Sequence, residues 1–438
     1  MSTSQPQAPS SAATQVADDG AAASVLTAPE NGVSQAIVPS PPRWTRADTV
    51  RTTIAVAIAL TLLGTAWWLG ATRGAGVGGS SASFALLAGA GLGILFERGR
   101  FCFYCIFRDA FEEKNTRGMY SILTAIAVGT VGYVLVFSIR LPDPTAGNLP
   151  GQAHIGPVSL ALVAAGLAFG LGVVISGGCI AGHLYRLGEG SLRALPALGG
   201  AIVGFGVGFA TWNPIYTHAI AGAPVPWLPS GGGYGIATVL QLGVLVLIGV
   251  WLLRWNPQTP ARPAARVTAQ SVHGSVFVNR WPALATGAGV GVIGFLAFLR
   301  DQPLGVTSQL SGLTRTGLDS AGLLPHTLLG LDQTLRGCVA LVVDAITSNG
   351  WLVAGIVAGS LAAALPGRRF SIEPLTLRGT GTAVVGGVFL GWGAIIGLGC
   401  TVGVFLSGTQ ALAASGWVFA AAVVAALGIG FRLGLHRL

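Results

Sequence analysis

Five cysteines occur in a chain of 438 residues, at positions 102, 105, 179, 338 and 400. Two of them hold the same place in a repeated apolar pattern. Gly166, Gly170, Gly172, Gly178, Cys179 and Gly182 recur at identical offsets as Gly387, Gly391, Gly393, Gly399, Cys400 and Gly403. Glycine permits the tight turns that interrupt a helix, and a pair of Gly-interrupted apolar segments in two halves of a chain points to a transporter's binding site. About two apolar helical turns follow each thiol. Each thiol therefore sits near a short helix's N-terminus, where open backbone N–H groups and the positive dipole end favour an anion.

A sulfate or phosphate site would add Ser, Thr or Arg donors. A thiol donates poorly to hard oxygen and is better matched to soft sulfur or selenium. The chemistry indicated is a small anion with a terminal soft chalcogen. It would be met by protonated S–H groups, because a thiolate would repel it. The plain alternative is that these cysteines are small packing residues, with glycines that let helices approach. Their matched register in both halves weighs against it. The odd number of cysteines argues against a disulfide framework.

The segment Arg100-Phe-Cys102-Phe-Tyr-Cys105-Ile-Phe-Arg108-Asp109 carries a third thiol in a C-x-x-C spacing. That spacing is compatible with redox chemistry or half of a zinc site. The chain has no second C-x-x-C, and His183 is the only histidine close in sequence to a cysteine. The favoured reading makes Cys102 a thiol at an inner mouth, with Arg100 and Arg108 attracting anions. Cys338 is expected to be a packing residue, and Glu97 and Asp109 are expected to pair with nearby arginines. Trp67, Trp68, Trp212 and Trp227 are expected as interfacial anchors. No P-loop, quinone or haem ligand set is visible, so neither cofactor nor metal is expected.

The elements that position these residues follow from composition. The chain is 52% hydrophobic and 9% charged, against roughly 25% charge in soluble proteins. It is therefore read as an integral membrane protein, and the lack of period-two alternation favours helices over a β-barrel. The net charge of +9 is almost wholly arginine. Positive-inside bias explains it more simply than nucleic acid, which is not an expected partner.

Hydropathy predicts ten spans near 50–71, 82–97, 119–139, 157–176, 192–210, 233–255, 281–299, 349–366, 379–397 and 415–433. All but five of the 24 basic residues (Arg73, Arg140, Arg300, Arg315 and Arg336) fall on one side if the chain starts inside. Both termini are therefore assigned to the cytoplasm. Segments 100–113, 178–190, 300–346 and 400–412 are too short or too polar to span. They are read as re-entrant half-helices, which persist at depth only when they line a protein cavity. The expected fold is an all-α polytopic membrane protein, a five-plus-five inverted repeat. Residues 1–42 form a disordered cytoplasmic tail, 43–255 the first repeat, 256–280 a basic cytoplasmic linker and 281–438 the second repeat. The Cys179 segment then enters from the cytoplasm and the Cys400 segment from outside.

With Arg100-Phe-Cys102 through Arg108-Asp109, Ser176-Gly-Gly-Cys179-Ile-Ala-Gly182 and Gly397-Leu-Gly-Cys400-Thr-Val-Gly403 in place, the chain resembles the YeeE/YedE family of bacterial membrane proteins, also called the sulfur-transport family. The resemblance covers about residues 50–433. It implies thiosulfate uptake across the bacterial inner membrane through an hourglass-shaped helical fold. Three cysteines, by motif Cys102, Cys179 and Cys400, would pass the ion inward by S–H···S contacts. With the topology above their order is Cys400, Cys179, Cys102 from outside to inside. Some relatives are linked to selenium metabolism. Cys105, Cys338, the N-terminal tail and the basic linker depart from the family pattern. No sulfur-carrier domain is fused at the C-terminus, so any cytoplasmic acceptor is a separate sulfur-carrier protein. Two other readings stand beside thiosulfate uptake: a permease for selenium compounds or sulfite, and a membrane thiol oxidoreductase using Cys102 and Cys105. The inward-facing position of that pair speaks against the latter.

Overall fold

In a bilayer every backbone N–H and C=O must find a partner within the protein, so long apolar runs close their hydrogen bonds as helices. The computed structural model describes residues 44–72, 79–150, 153–255, 279–300, 302–325, 327–332 and 346–437. Residues 1–42, Cys338 and all but the last two residues of the 256–280 linker lie outside the described residues.

Thirteen α-helices occur among the described residues. They are α1 (Arg46–Thr72), α2 (Gly79–Gly99), α3 (Phe103–Glu112), α4 (Met119–Arg140), α5 (Leu160–Ser176), α6 (Ile180–Gly188) and α7 (Ala194–Ile215). They continue with α8 (Gly233–Trp255), α9 (Ala283–Arg300), α10 (Ser308–Ser320), α11 (Ser348–Ala364), α12 (Leu377–Ile396) and α13 (Ala414–Arg432). Thr401–Gly408 is a wider, π-helical turn. Nine helical stretches among the described residues are long and apolar enough to cross a membrane, so this is a polytopic all-α membrane protein. The span expected near 349–366 is the 17-residue α11, about 25 Å long at 1.5 Å per residue and at the short end of the range for a crossing.

Helices pack through small residues. The pairs α2–α11, α7–α12 and α4–α9 run in close contact, and α5 lies against both α12 and α13. A Cβ added at Gly391 of α12 would stand 2.1 Å from the carbonyl oxygen of Ala201 in α7. One added at Gly204 of α7 would stand 2.2 Å from that of Val388 in α12. The glycines upstream of both thiols in the repeated pattern thus serve helix packing, as the small residues of membrane helix interfaces do.

The two thiol segments lead to opposite ends of the bundle. From Cys179, α6 runs to the Glu189–Ser191 turn, where Ser371 N donates to Glu189 O and Ser191 bridges Glu373. From Cys400 the π-helical turn runs to Leu412 and Ala413, which pair with Leu228, Pro226 and Trp227. Helix α7 begins beside the first of these turns and leads through Tyr216–Ile220 toward the second.

Two expected anchors are corrected. Trp212 and Trp227 are buried, at 0% and 2% exposure, and their indole N–H groups donate to the carbonyls of Leu329 and Ala411. Their ring N–H groups close loop carbonyls inside the protein instead of meeting headgroups. Trp67 and Trp68 are exposed on α1, as an anchor requires.

Candidate functional site

The first thiol turn forms where α5 ends. Gly177 takes a left-handed conformation (φ 83°) as the helix cap, and Cys179 is extended as the N-cap of α6. The second turn is built differently. Leu398 occupies the left-handed position (φ 61°) that corresponds to Gly177, and Gly399 follows at φ 152°. A leucine there carries a strain of roughly 1 kcal/mol, which the surrounding packing must hold.

Cys179 Sγ accepts from Gly182 N–H at 3.3 Å. Cys400, also extended, is the N-cap of the π-helical turn but its side chain makes no cap hydrogen bond. At Cys179 a helix-start donor is thus taken by the thiol itself, and the sulfur becomes the surface a ligand would meet. The backbone matches as well: His183 N donates to Cys179 O and Val404 N to Cys400 O, each at 2.8 Å.

Cys102 is the N-cap of α3, and Arg100 just before it has a positive φ of 52°. Cys102 and Cys179 meet across Gly182. A Cβ there would lie 3.5 Å from Cys179 Sγ and 3.9 Å from Cys102 Sγ. Cys400 belongs to the same buried cluster as Cys102 and Cys179. Gly178 is closed against His183, with 3.3 Å from its would-be Cβ to Cε1. All four described cysteines are free and buried. Among the described residues no group of three His, Cys, Asp or Glu could hold a metal.

Two groups hold these turns in shape. His183 Nε2 lies 3.1 Å from Ser176 Oγ, which in turn reaches the carbonyls of Gly172 and Gly178. The histidine therefore braces the Cys179 turn without touching its sulfur. Gln241 of α8 donates to Thr130 Oγ1 at 2.7 Å and Thr409 O at 2.6 Å, and Gln410 donates to Ala125 O at 2.9 Å. These bonds pin the far end of the π-helical turn.

Beyond Cys105 opens a cavity of about 330 Å³, lined by Arg100, Arg108, Arg186, Arg280, Arg369 and Glu189 among others. Arg100 and Arg108 share the carboxylate of Asp109, at 3.2 and 3.0 Å. Arg369 pairs with Glu97 at 2.9 Å. The guanidinium at the sulfurs is Arg186, whose Nη2 lies 3.0 Å from Cys105 Sγ and 3.8 Å from Cys102 Sγ. Its Nη1 donates to Gly177 O at 2.6 Å, and its Cζ lies 5.7 Å from the Tyr104 ring centre. Spacing gave no signal for Arg186 as a site residue, because it reaches Cys105 from 81 positions away. Glu189, at the end of α6, is pushed up to about 7 by burial and by the nearby Glu97.

Buried thiols carried by two interrupted segments, next to a basic cavity within apolar helices, mark the site of a multi-pass membrane protein. The chain belongs to the Sulphur transport family, whose model matches residues 98–429. It is 29% identical over 353 residues to the thiosulfate transporter TsuA of Escherichia coli (strain K12), a match covering 76% of this chain and 89% of that one. It is 28% identical over 359 residues to the thiosulfate transporter TsuA of Spirochaeta thermophila, covering 76% and 93%. A shorter match, 36% over 110 residues and 25% of each chain, is to the probable transporter YedE of Escherichia coli (strain K12).

Proposed function

We propose that this protein takes up thiosulfate, or a closely similar sulfur oxyanion, across the bacterial inner membrane with both termini in the cytoplasm. The anion passes Cys400, then Cys179, then Cys102, held at each by S–H contact to its terminal sulfur. The reading rests chiefly on the approach of Cys179 and Cys102 to Gly182, where an added Cβ would touch both sulfurs. Gly178, Gly399 and Gly403 serve it by forming the turns that present the thiols.

Thiols suit this work because they are weak, soft donors. A site that bound the anion tightly at each step would not release it. Arg186, with Arg100 at the cavity wall, draws the anion on toward the cytoplasmic side. The bias of basic residues toward that side supports the orientation, and the opposite directions of the two thiol segments support an inverted repeat. No bond is made or broken in this account. Any later sulfur chemistry belongs to a separate cytoplasmic sulfur-carrier protein.

Uptake of radiolabelled thiosulfate, sulfate and selenite by one strain lacking its own sulfur importers, with and without this protein, tests the reading. Thiosulfate should accumulate and sulfate should not. Accumulation of selenite alone would transfer the proposal to selenium compounds.

A further inference from the structure

Two buried hydroxyls beside the thiols make no hydrogen bond to an oxygen or nitrogen among the described residues. Thr401 is fully buried and its Oγ1 makes no hydrogen bond to an oxygen or nitrogen; the group it approaches is the sulfur of Cys179, the thiol of the other half and a weak acceptor. Thr307, the residue before α10, is likewise fully buried, makes no hydrogen bond from Oγ1 to an oxygen or nitrogen, and approaches the sulfur of Cys400. Leaving a buried hydroxyl unsatisfied costs about 1–3 kcal/mol.

Neighbouring hydroxyls avoid that penalty. Ser407 Oγ donates to Val402 O at 3.0 Å, Thr409 Oγ1 to Phe405 O at 2.6 Å, and Ser176 Oγ to Gly172 O at 2.7 Å. Carbonyls within reach are thus normally used in this part of the fold. The hydroxyls left open are those that face a sulfur.

We propose that Thr307 and Thr401 are ligand residues that donate to the oxygen end of the transported anion, while the adjacent thiols hold its sulfur end. The proposal rests on the thiosulfate-uptake reading and narrows its substrate class to a tetrahedral oxyanion carrying one terminal chalcogen. A hydroxyl is a hard donor whose bond to a charged oxygen is short and strong, and a thiol is a soft, weak one. Placed side by side they read the two ends of one ion. Sulfate offers no soft end to the thiol, and hydrosulfide offers no oxygen to the threonine. The arrangement also gives a two-ended step: as the sulfur moves from Cys400 to Cys179, the oxygens move from Thr307 to Thr401.

The test is the concentration dependence of radiolabelled thiosulfate uptake for the wild type and for Thr401→Val, Thr401→Ser, Thr307→Val and Thr307→Ser. Membrane amounts are matched by quantitative blotting. Valine keeps the shape and removes the donor, so each valine variant should raise the half-saturating concentration about 10-fold or more, the loss of one hydrogen bond to a charged group. The serine variants should stay within about 2-fold of wild type. If a valine variant fails to reach the membrane, the matching alanine variant carries the same expectation, because it also lacks the hydroxyl. Unchanged half-saturation in the valine or alanine variants overturns the proposal. So does an equal defect in the serine variants, which would mark a purely structural role. A wild type that takes up no thiosulfate would instead overturn the transport reading beneath it.

Discussion

Arg186 Nη2 lies 3.0 Å from the sulfur of Cys105, so the end of the thiol line nearest the cavity is closed by a guanidinium. Among the described residues Arg186 forms no ion pair; its bonds go to Gly177 O and the two sulfurs. A half-buried cation with no carboxylate in direct ion-pair contact favours a visiting anion. Arg186→Gln should therefore lower the maximal rate of thiosulfate uptake about 10-fold or more, comparable to the loss of a charge-assisted contact. Arg186→Lys should recover only part, because an ammonium lacks the planar fork that reaches Gly177 and Cys105 together. Wild-type uptake by the glutamine variant would remove Arg186 from the pathway.

Cys105 shares that guanidinium, yet Cys102 is the thiol that meets Cys179 across Gly182. Cys105→Ala is expected to keep uptake near wild type and Cys102→Ala to impair it clearly. An oxidoreductase using the pair would lose activity equally in both variants and yield a trapped Cys102–Cys105 disulfide. Rapid alkylation followed by peptide mass measurement distinguishes the two outcomes.

Glu189 brings a pH dependence to the cavity. Its carboxyl is held up to about 7 by burial and Glu97, so it is neutral below that value and negative above it. In the neutral form it leaves uncompensated the cavity arginines that make no ion pair among the described residues, Arg186 among them. In the charged form it competes with the anion for them. The same sign governs stability: the favourable contribution of the protonated carboxyl is full below the ordinary value of 4.5 and is lost as pH rises through about 7. Uptake should fall as pH on the cavity side rises from about 6 to 8, and Glu189→Gln should flatten that profile. A glutamine variant with the wild-type profile would contradict the assignment.

Much of this was legible in the sequence. The membrane class and the helical runs follow from hydropathy, and Cys179 and Cys400 stand out because glycines recur around both at the same offsets. Arg186, Thr307 and Thr401 were not legible. Their roles come from contacts between segments far apart in the chain, and an unpaired hydroxyl leaves no mark in a residue pattern. Arg100 and Arg108 looked like the anion-attracting pair because they flank Cys102. In the fold their guanidinium groups converge on Asp109. Trp212 and Trp227 failed as anchors for a related reason: loop carbonyls inside the protein satisfy their ring N–H groups. Leu398 conceals its left-handed turn, since only its alignment with Gly177 would have disclosed it.

The α7–α12 contact offers a stability test with an internal control. A Cβ at Gly391 would stand 2.1 Å from a backbone carbonyl, whereas one at Gly381 of the same helix meets nothing within 4 Å. Gly391→Ala should force the helices apart and destabilise the protein by about 1–3 kcal/mol. Gly381→Ala should be neutral or slightly stabilising, since alanine is the better helix former. Thermal unfolding of both variants in detergent, followed by fluorescence, reads the difference.

The central claim is that thiols, and not merely small polar side chains, carry the anion. It is tested most directly by radiolabelled thiosulfate uptake with Cys179→Ser and Cys400→Ser at membrane levels equal to wild type. A hydroxyl nearly matches a thiol in size but is a poor partner for soft sulfur. Both variants should insert normally and lose nearly all uptake, as should Cys179→Ala and Cys400→Ala. Near-normal uptake by the serine variants would contradict the account.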